Sequence, residues 1–86
     1  MSTLHIIANR QAFARAQELM EGCDAVLFQG DGCYQALDAL PSLPCYWVAA
    51  DARARALGSR CPEAVTAIDW PKVVALTLEY DKTVTW

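Results

Sequence analysis

Two rhythms of apolar residues alternate along this chain. Residues 3–8, Thr-Leu-His-Ile-Ile-Ala, form a continuous β-favouring run that reads as a strand. Asn9 follows as a capping residue. Over residues 10–20 the rhythm changes. Ala12, Phe13, Ala16, Leu19 and Met20 recur at helical spacing, with Arg15 and Glu18 on the other face. Gly22 is placed to stop that helix. Residues 25–29, Ala-Val-Leu-Phe-Gln, are almost wholly apolar, which suits a strand covered on both faces. Gly30-Asp31-Gly32 makes a turn, and residues 32–39 read as a short helix with Tyr34, Ala36, Leu37 and Leu40 inward. Pro41 and Pro44 bracket a loop.

The alternation continues to the end. Residues 45–49, Cys-Tyr-Trp-Val-Ala, form a third strand, and Asp51 is placed to cap a helix over 52–57 that Gly58 ends. Residues 64–68 form a fourth strand. Asp69 caps a last helix that opens Trp70-Pro71, with proline in the first turn, where its missing N–H costs nothing. Val73, Leu76, Thr77 and Tyr80 share one face of it, with Val74 and Leu78 beside them. Residues 83–86 make a final strand. The order β-α-β-α-β-α-β-α-β predicts one domain over residues 1–86. Its class is three-layer α/β: a mostly parallel five-stranded sheet, helices on both faces and right-handed crossovers.

Composition adds a partner to this picture. Of 86 residues, 55% are apolar and 20% charged. That is too apolar for a disordered chain and rich for a lone small monomer, so some apolar surface is expected to meet another subunit. A core this small is marginal and gains from oligomerisation, including self-association in isolation. Ten acidic residues face seven scattered basic ones, for a net charge of −3. Direct nucleic-acid binding is therefore not expected, because phosphate neutralisation supplies most of that affinity. No apolar run is long enough to span a bilayer. The opening residues lack a charged n-region and a long apolar h-region, so no secretory signal is expected. Cys23, Cys33, Cys45 and Cys61 form no CxxC. Free thiols and a cytoplasmic setting are the expectation.

Candidate chemistry is sparse. In an open α/β sheet ligands gather outside the carboxyl ends of the strands. Asn9-Arg10, Gly30-Asp31-Gly32-Cys33, Ala50-Asp51 and Asp69-Trp70 fall there. Asp51 and Asp69 read as helix caps, and a Mg²⁺ site lacks the acidic pair expected after the first strand. The glycines fit neither GxGxxG nor a P-loop, so no cofactor is expected. Cys33 is the one thiol at a helix start, where the dipole favours a thiolate. It reads either as a persulfide carrier or as a small core residue. His5, the only histidine, reads as a strand residue without a nucleophile to serve. Tyr34, Trp47, Trp70, Tyr80 and Trp86 read as core or interface residues, with Tyr34, Trp70 and Trp86 the interface candidates.

Three stretches carry a family resemblance. Ile68-Asp69-Trp70-Pro71-Lys72-Val73-Val74-Ala75-Leu76-Thr77, followed by Tyr80-Asp81-Lys82-Thr83-Val84-Thr85-Trp86, resembles the ending of the TusB/DsrH proteins. Val26-Leu27-Phe28-Gln29-Gly30-Asp31-Gly32-Cys33-Tyr34-Gln35-Ala36-Leu37 is similar to their apolar strand and Asp-Gly-Val-Tyr-x-Ala-Leu segment. Asp51-Ala52-Arg53-Ala54-Arg55-Ala56-Leu57 is similar to their Asp-x-x-Ala-Arg-Gly-Leu segment, and Leu4-His5 fits their opening. Cys33 stands where that family more often has valine, and Trp70 and Val73 replace the usual Tyr and Phe.

The resemblance implies a DsrEFH-like fold and a subunit of a sulfurtransferase complex. Its partners would be TusC/DsrF-like and TusD/DsrE-like sisters in a heterohexamer, and the active cysteine would lie on the TusD/DsrE-like sister. The Tus branch relays sulfur to 2-thiouridine at the tRNA wobble position, and the Dsr branch serves sulfur oxidation. Some sulfur-oxidiser members carry a cysteine in the first helix. Residues 10–20 hold none here, which favours the tRNA branch. The competing expectations are a persulfide carrier using Cys33 and a stand-alone homo-oligomeric binding module.

Overall fold

A computed structural model describes all 86 residues. Its elements are β1 (Thr3–Ile7), α1 (Arg10–Gln17), β2 (Ala25–Phe28), α2 (Gly32–Ala36), β3 (Cys45–Val48), α3 (Ala49–Ala54), β4 (Val65–Ile68), α4 (Trp70–Glu79) and β5 (Lys82–Thr85). A 3₁₀ turn at Gly58–Arg60 lies between α3 and β4. The strands form one sheet in the order β4-β3-β2-β1-β5. Every pairing is parallel, so the expected mostly parallel sheet is wholly parallel.

Strand alternation sorts the core into two layers. Ile7, Val26, Phe28, Cys45, Trp47 and Val65 point to the face covered by α1, α2 and α3, through Phe13, Cys33 and Ala52. Leu4, Ile6, Ala25, Leu27, Val48 and Ile68 point to the other face, which α4 covers with Val73 and Leu76. β1 and β2 are buried at every position, which is why their sequences are unbroken apolar runs.

The expected elements are all present, and several boundaries differ. α1 ends at Gln17, not near Met20. Tighter bonds from Leu19 N to Ala16 O and Met20 N to Gln17 O extend its periodicity past the last regular turn. α2 ends at Ala36, and Leu37 and Asp38 follow in similar i→i+3 turns. α3 begins directly after β3, at Ala49. Asp51 therefore lies in the first turn instead of capping it. Gly58 does not end that helix either. The left-handed residue behind it is Ala56, with φ of 58°.

Candidate functional site

The carboxyl ends of β1, β2 and β3 meet in a small polar network. The Asn9 side chain caps α1, its Oδ1 accepting from Ala12 N at 2.8 Å. Gly30 turns the chain after β2 with φ of +53°, a left-handed value that suits glycine. Its N–H donates to Asp51 Oδ2 at 2.8 Å. Arg55 closes the arrangement, donating from Nε to Asp31 Oδ1 at 2.9 Å and from Nη1 to the Asp51 carbonyl at 3.1 Å. Asp51 thus ties the β2–α2 turn to α3. Gly32 is held tightly, since a Cβ there would lie 2.0 Å from the Ile7 carbonyl oxygen. Asp69 caps α4 as expected, accepting from Lys72 N at 3.1 Å. The carboxylates of Asp31, Asp51 and Asp69 each accept from a different partner, Arg55, Gly30 N and Lys72 N, and no three His, Cys, Asp or Glu side chains converge on a point.

Cys33 follows the start of α2 but faces inward. It is fully buried, with Phe28, Ala36 and Trp47 in the same core cluster. Burial, reinforced by the nearby Asp51 carboxylate, pushes its thiol up to about 11. The helix start does not favour a thiolate here, because α2 is only five residues long and burial dominates. Burial likewise pushes Cys45 up to about 11 and raises Cys61. Cys23 is exposed, its Sγ donating to the Met1 carbonyl at 3.0 Å, and all four thiols are free.

A second polar group lies at the β1–β5 side of the sheet. His5 is 3% exposed and stands between Asp24 and Trp86. The indole N–H can only donate, so the 3.1 Å bond from Trp86 Nε1 makes His5 Nδ1 an acceptor. Nε2 then carries the proton and donates to Asp24 Oδ2 at 2.9 Å. The rings of His5 and Trp86 stack at 6.2 Å. Asp24 also accepts from Thr3 N at 2.9 Å and Glu21 N at 3.0 Å. Burial pushes its carboxyl upward, but the bonds from His5, Glu21 and Thr3 together outweigh that and hold it below its ordinary range. Beside this group is a cleft of about 270 Å³ bordered by Met1, Leu19, Lys82 and Val84. Spacing along the chain gives no sign of Asp24 as the histidine's partner, because the two meet only through the β1–β2 register.

The three interface candidates lie in three places. Tyr34 is 36% exposed beside Arg10 and Asp31 at the strand ends. Trp70 is 50% exposed at the start of α4. Trp86 is half-buried on His5.

In a doubly wound sheet the ligand crevice opens where neighbouring strands send their following helices to opposite faces. Here that is between β3 and β4, at Ala49-Ala50 and Asp69-Trp70. Ala49, Ala50, Asp69 and Trp70 stand there, and the Asp69 carboxylate is engaged in capping α4. The fold and site together define a doubly wound all-parallel α/β domain whose strand-end loops are tied to one another through Asp51 and Arg55. A family profile described as DsrH-like protein matches residues 8–83, and the chain belongs to that family. Membership makes it a sulfur-relay subunit that works with DsrE- and DsrF-like partners. The crystal structure of the ychN protein from E. coli has the same fold, with a TM-score of 0.70, 16% identity and 100% of both chains covered. None of the curated proteins compared with the chain matches it. No helix is long and apolar enough to cross a membrane.

Proposed function

We propose that this chain is a non-catalytic cytoplasmic subunit of a heterohexameric sulfurtransferase complex that serves 2-thiouridine formation at the tRNA wobble position. The reactive thiol belongs to a DsrE-like sister. The observation that carries the non-catalytic part is the state of Cys33: it lies in the core, and burial pushes its thiol to about 11. A persulfide carrier needs the opposite, an accessible thiolate. The absence of cysteine from residues 10–20 favours the tRNA branch. Tyr34, Trp70 and Trp86 serve as interface residues on this reading, and the complex, not this chain, contacts tRNA.

The test is deletion of the gene followed by mass spectrometry of tRNA nucleosides. Loss of 2-thiouridine is expected, with full rescue by wild type and by Cys33→Ser. Intact mass after incubation with a cysteine desulfurase should reveal no gain of about 32 Da on Cys33. Failure of Cys33→Ser to rescue, with a persulfide on Cys33 in wild type, would establish the carrier reading. The family description as DsrH-like favours a second reading, a subunit in dissimilatory sulfur oxidation. Unchanged 2-thiouridine with impaired sulfur oxidation would select it.

A further inference from the structure

The two faces of the sheet are covered unequally. Three helices pack on one face and α4 alone on the other. A single helix with its side chains is about 10–12 Å across, whereas five strands about 4.8 Å apart span roughly 19 Å between the outer two. Part of that face is left beside the helix.

α4 also lacks a polar outer side. Val73 and Leu76 face the sheet. On the opposite side Trp70, Val74 and Leu78 are 50%, 60% and 82% exposed. A turn of about 3.6 residues brings Pro71 and Ala75 into the same sector, so five uncharged residues lie side by side. Lys72 and Glu79 stand on the flank and pair with each other at 3.7 Å. A surface helix normally does the reverse, as α1 does with Arg10, Gln11, Arg15 and Gln17 exposed. A helix that is apolar all round belongs in an interior. The sheet beside α4 continues the uncharged surface: Thr66 on β4, and Thr83 and Thr85 on β5, are exposed toward this face.

We infer that the outer side of α4, with Trp70, Val74 and Leu78 at its centre, is the docking surface for a DsrE- or DsrF-like sister subunit. The inference rests on the sulfur-relay reading for the partner; the structure supplies the face. A stable interface takes about 800 Å² from each partner, roughly a sixth of the 4734 Å² this chain exposes. The exposed α4 stripe and the threonines Thr66, Thr83 and Thr85 lie together on this one side of the sheet. Its lack of charge fits an apolar protein surface and gives nothing to neutralise phosphates. Trp70 supplies the aromatic anchor typical of interface centres.

The experiment is co-expression of the tagged full chain with its DsrE-like and DsrF-like sisters, followed by affinity capture and sedimentation. Wild type is compared with Val74→Glu/Leu78→Glu and with Ala14→Glu, an exposed position on α1. Circular-dichroism melts check that each variant folds. The expected result is at least a tenfold loss of captured sisters for the α4 variant, with Ala14→Glu like wild type. Equal capture by a folded α4 variant would overturn this surface and leave the sulfur-relay reading standing. Failure of wild type to capture either sister would overturn that reading and this inference with it. Self-association of wild type, lost in the α4 variant and without sister capture, would reassign the face to a second copy and overturn the sister as occupant.

Discussion

At the residue scale, Asp24 is the most consequential polar side chain. It is 3% exposed and accepts from Thr3 N, Glu21 N and His5 Nε2, with Cys23 Sγ also at 3.8 Å from Oδ1. Asp24→Asn removes the charge those donors converge on and turns an amide N–H toward at least one of them. The expected cost is about 2–3 kcal/mol, near that of hydrogen bonds to a buried charged group. For a domain of this size each kcal/mol lowers Tm by about 4–8 °C. The pH dependence has a definite sign. The folded carboxyl lies below its ordinary value of 3.8, so its stabilisation is complete above that pH. It drains away as pH falls from 3.8 through the lower folded value. Urea titrations from pH 7 to pH 2 should show an acid limb in wild type that is shallower in Asp24→Asn. Asp81 is lowered too, chiefly by the Ser2 N–H, but it is exposed and adds little. Identical acid limbs in the two proteins would contradict the assignment. The thiols give a second residue-scale test. Iodoacetamide at pH 7 should label exposed Cys23 first, and Cys33 and Cys45 only after unfolding, as peptide mass spectrometry will register.

At the element scale, the contrast between Asp51 and Asp69 explains what was legible in the sequence. Both precede apolar periodic segments, and both read as caps. Asp69 caps because β4 ends one residue before it and the chain must turn. Asp51 does not, because α3 follows β3 without a break and the carboxylate instead reaches Gly30 N, 21 residues away in sequence. Local patterns register local partners only. β1, β2 and β3 were legible as apolar runs, and α1 and α4 as apolar faces at helical spacing. Helix ends were less so, because i→i+3 turns after α1 and α2 preserve helical spacing past the last regular turn. Cys33 is the same lesson at the site: its place at a helix start was legible, and its inward direction was not. Glycines sharpen the point. Gly22 and Gly32 look alike in sequence, yet a Cβ at Gly22 meets nothing within 4 Å, while one at Gly32 strikes the Ile7 carbonyl at 2.0 Å. Gly22→Ala should leave Tm within a few degrees. Gly32→Ala must push α2 off β1 and should cost about 4 kcal/mol or more, or leave the protein insoluble. Parallel expression and melting of the two variants checks this.

At the scale of the whole molecule, the sheet order is what no local pattern supplies. β5 returns beside β1 and makes it an inner strand, so the two ends of the chain are held together. Lys82 N bonds Ser2 O at one end of that pairing and Trp86 N bonds Ile6 O at the other. β5 itself brings little apolar surface, since only Val84 is half-buried among its four residues. Trp86 therefore carries much of the attachment, through its stack on His5 and its N–H bond to Nδ1. The two contributions separate by substitution. Trp86→Phe keeps a stacking ring and loses the bond, at an expected cost of about 1 kcal/mol. Trp86→Ala loses both, at about 2–3 kcal/mol, below the range for a fully buried aromatic. Because α4 and β2–β4 do not depend on this contact, the loss should be local. Hydrogen exchange should accelerate at the β5 amides in Trp86→Ala while β2 and β3 keep their protection. Equal stability of Trp86→Phe and wild type would remove the hydrogen bond from the account. Uniform acceleration across the sheet would mean that β5 is no separable flap and that closing β1 into the interior is required for the whole fold.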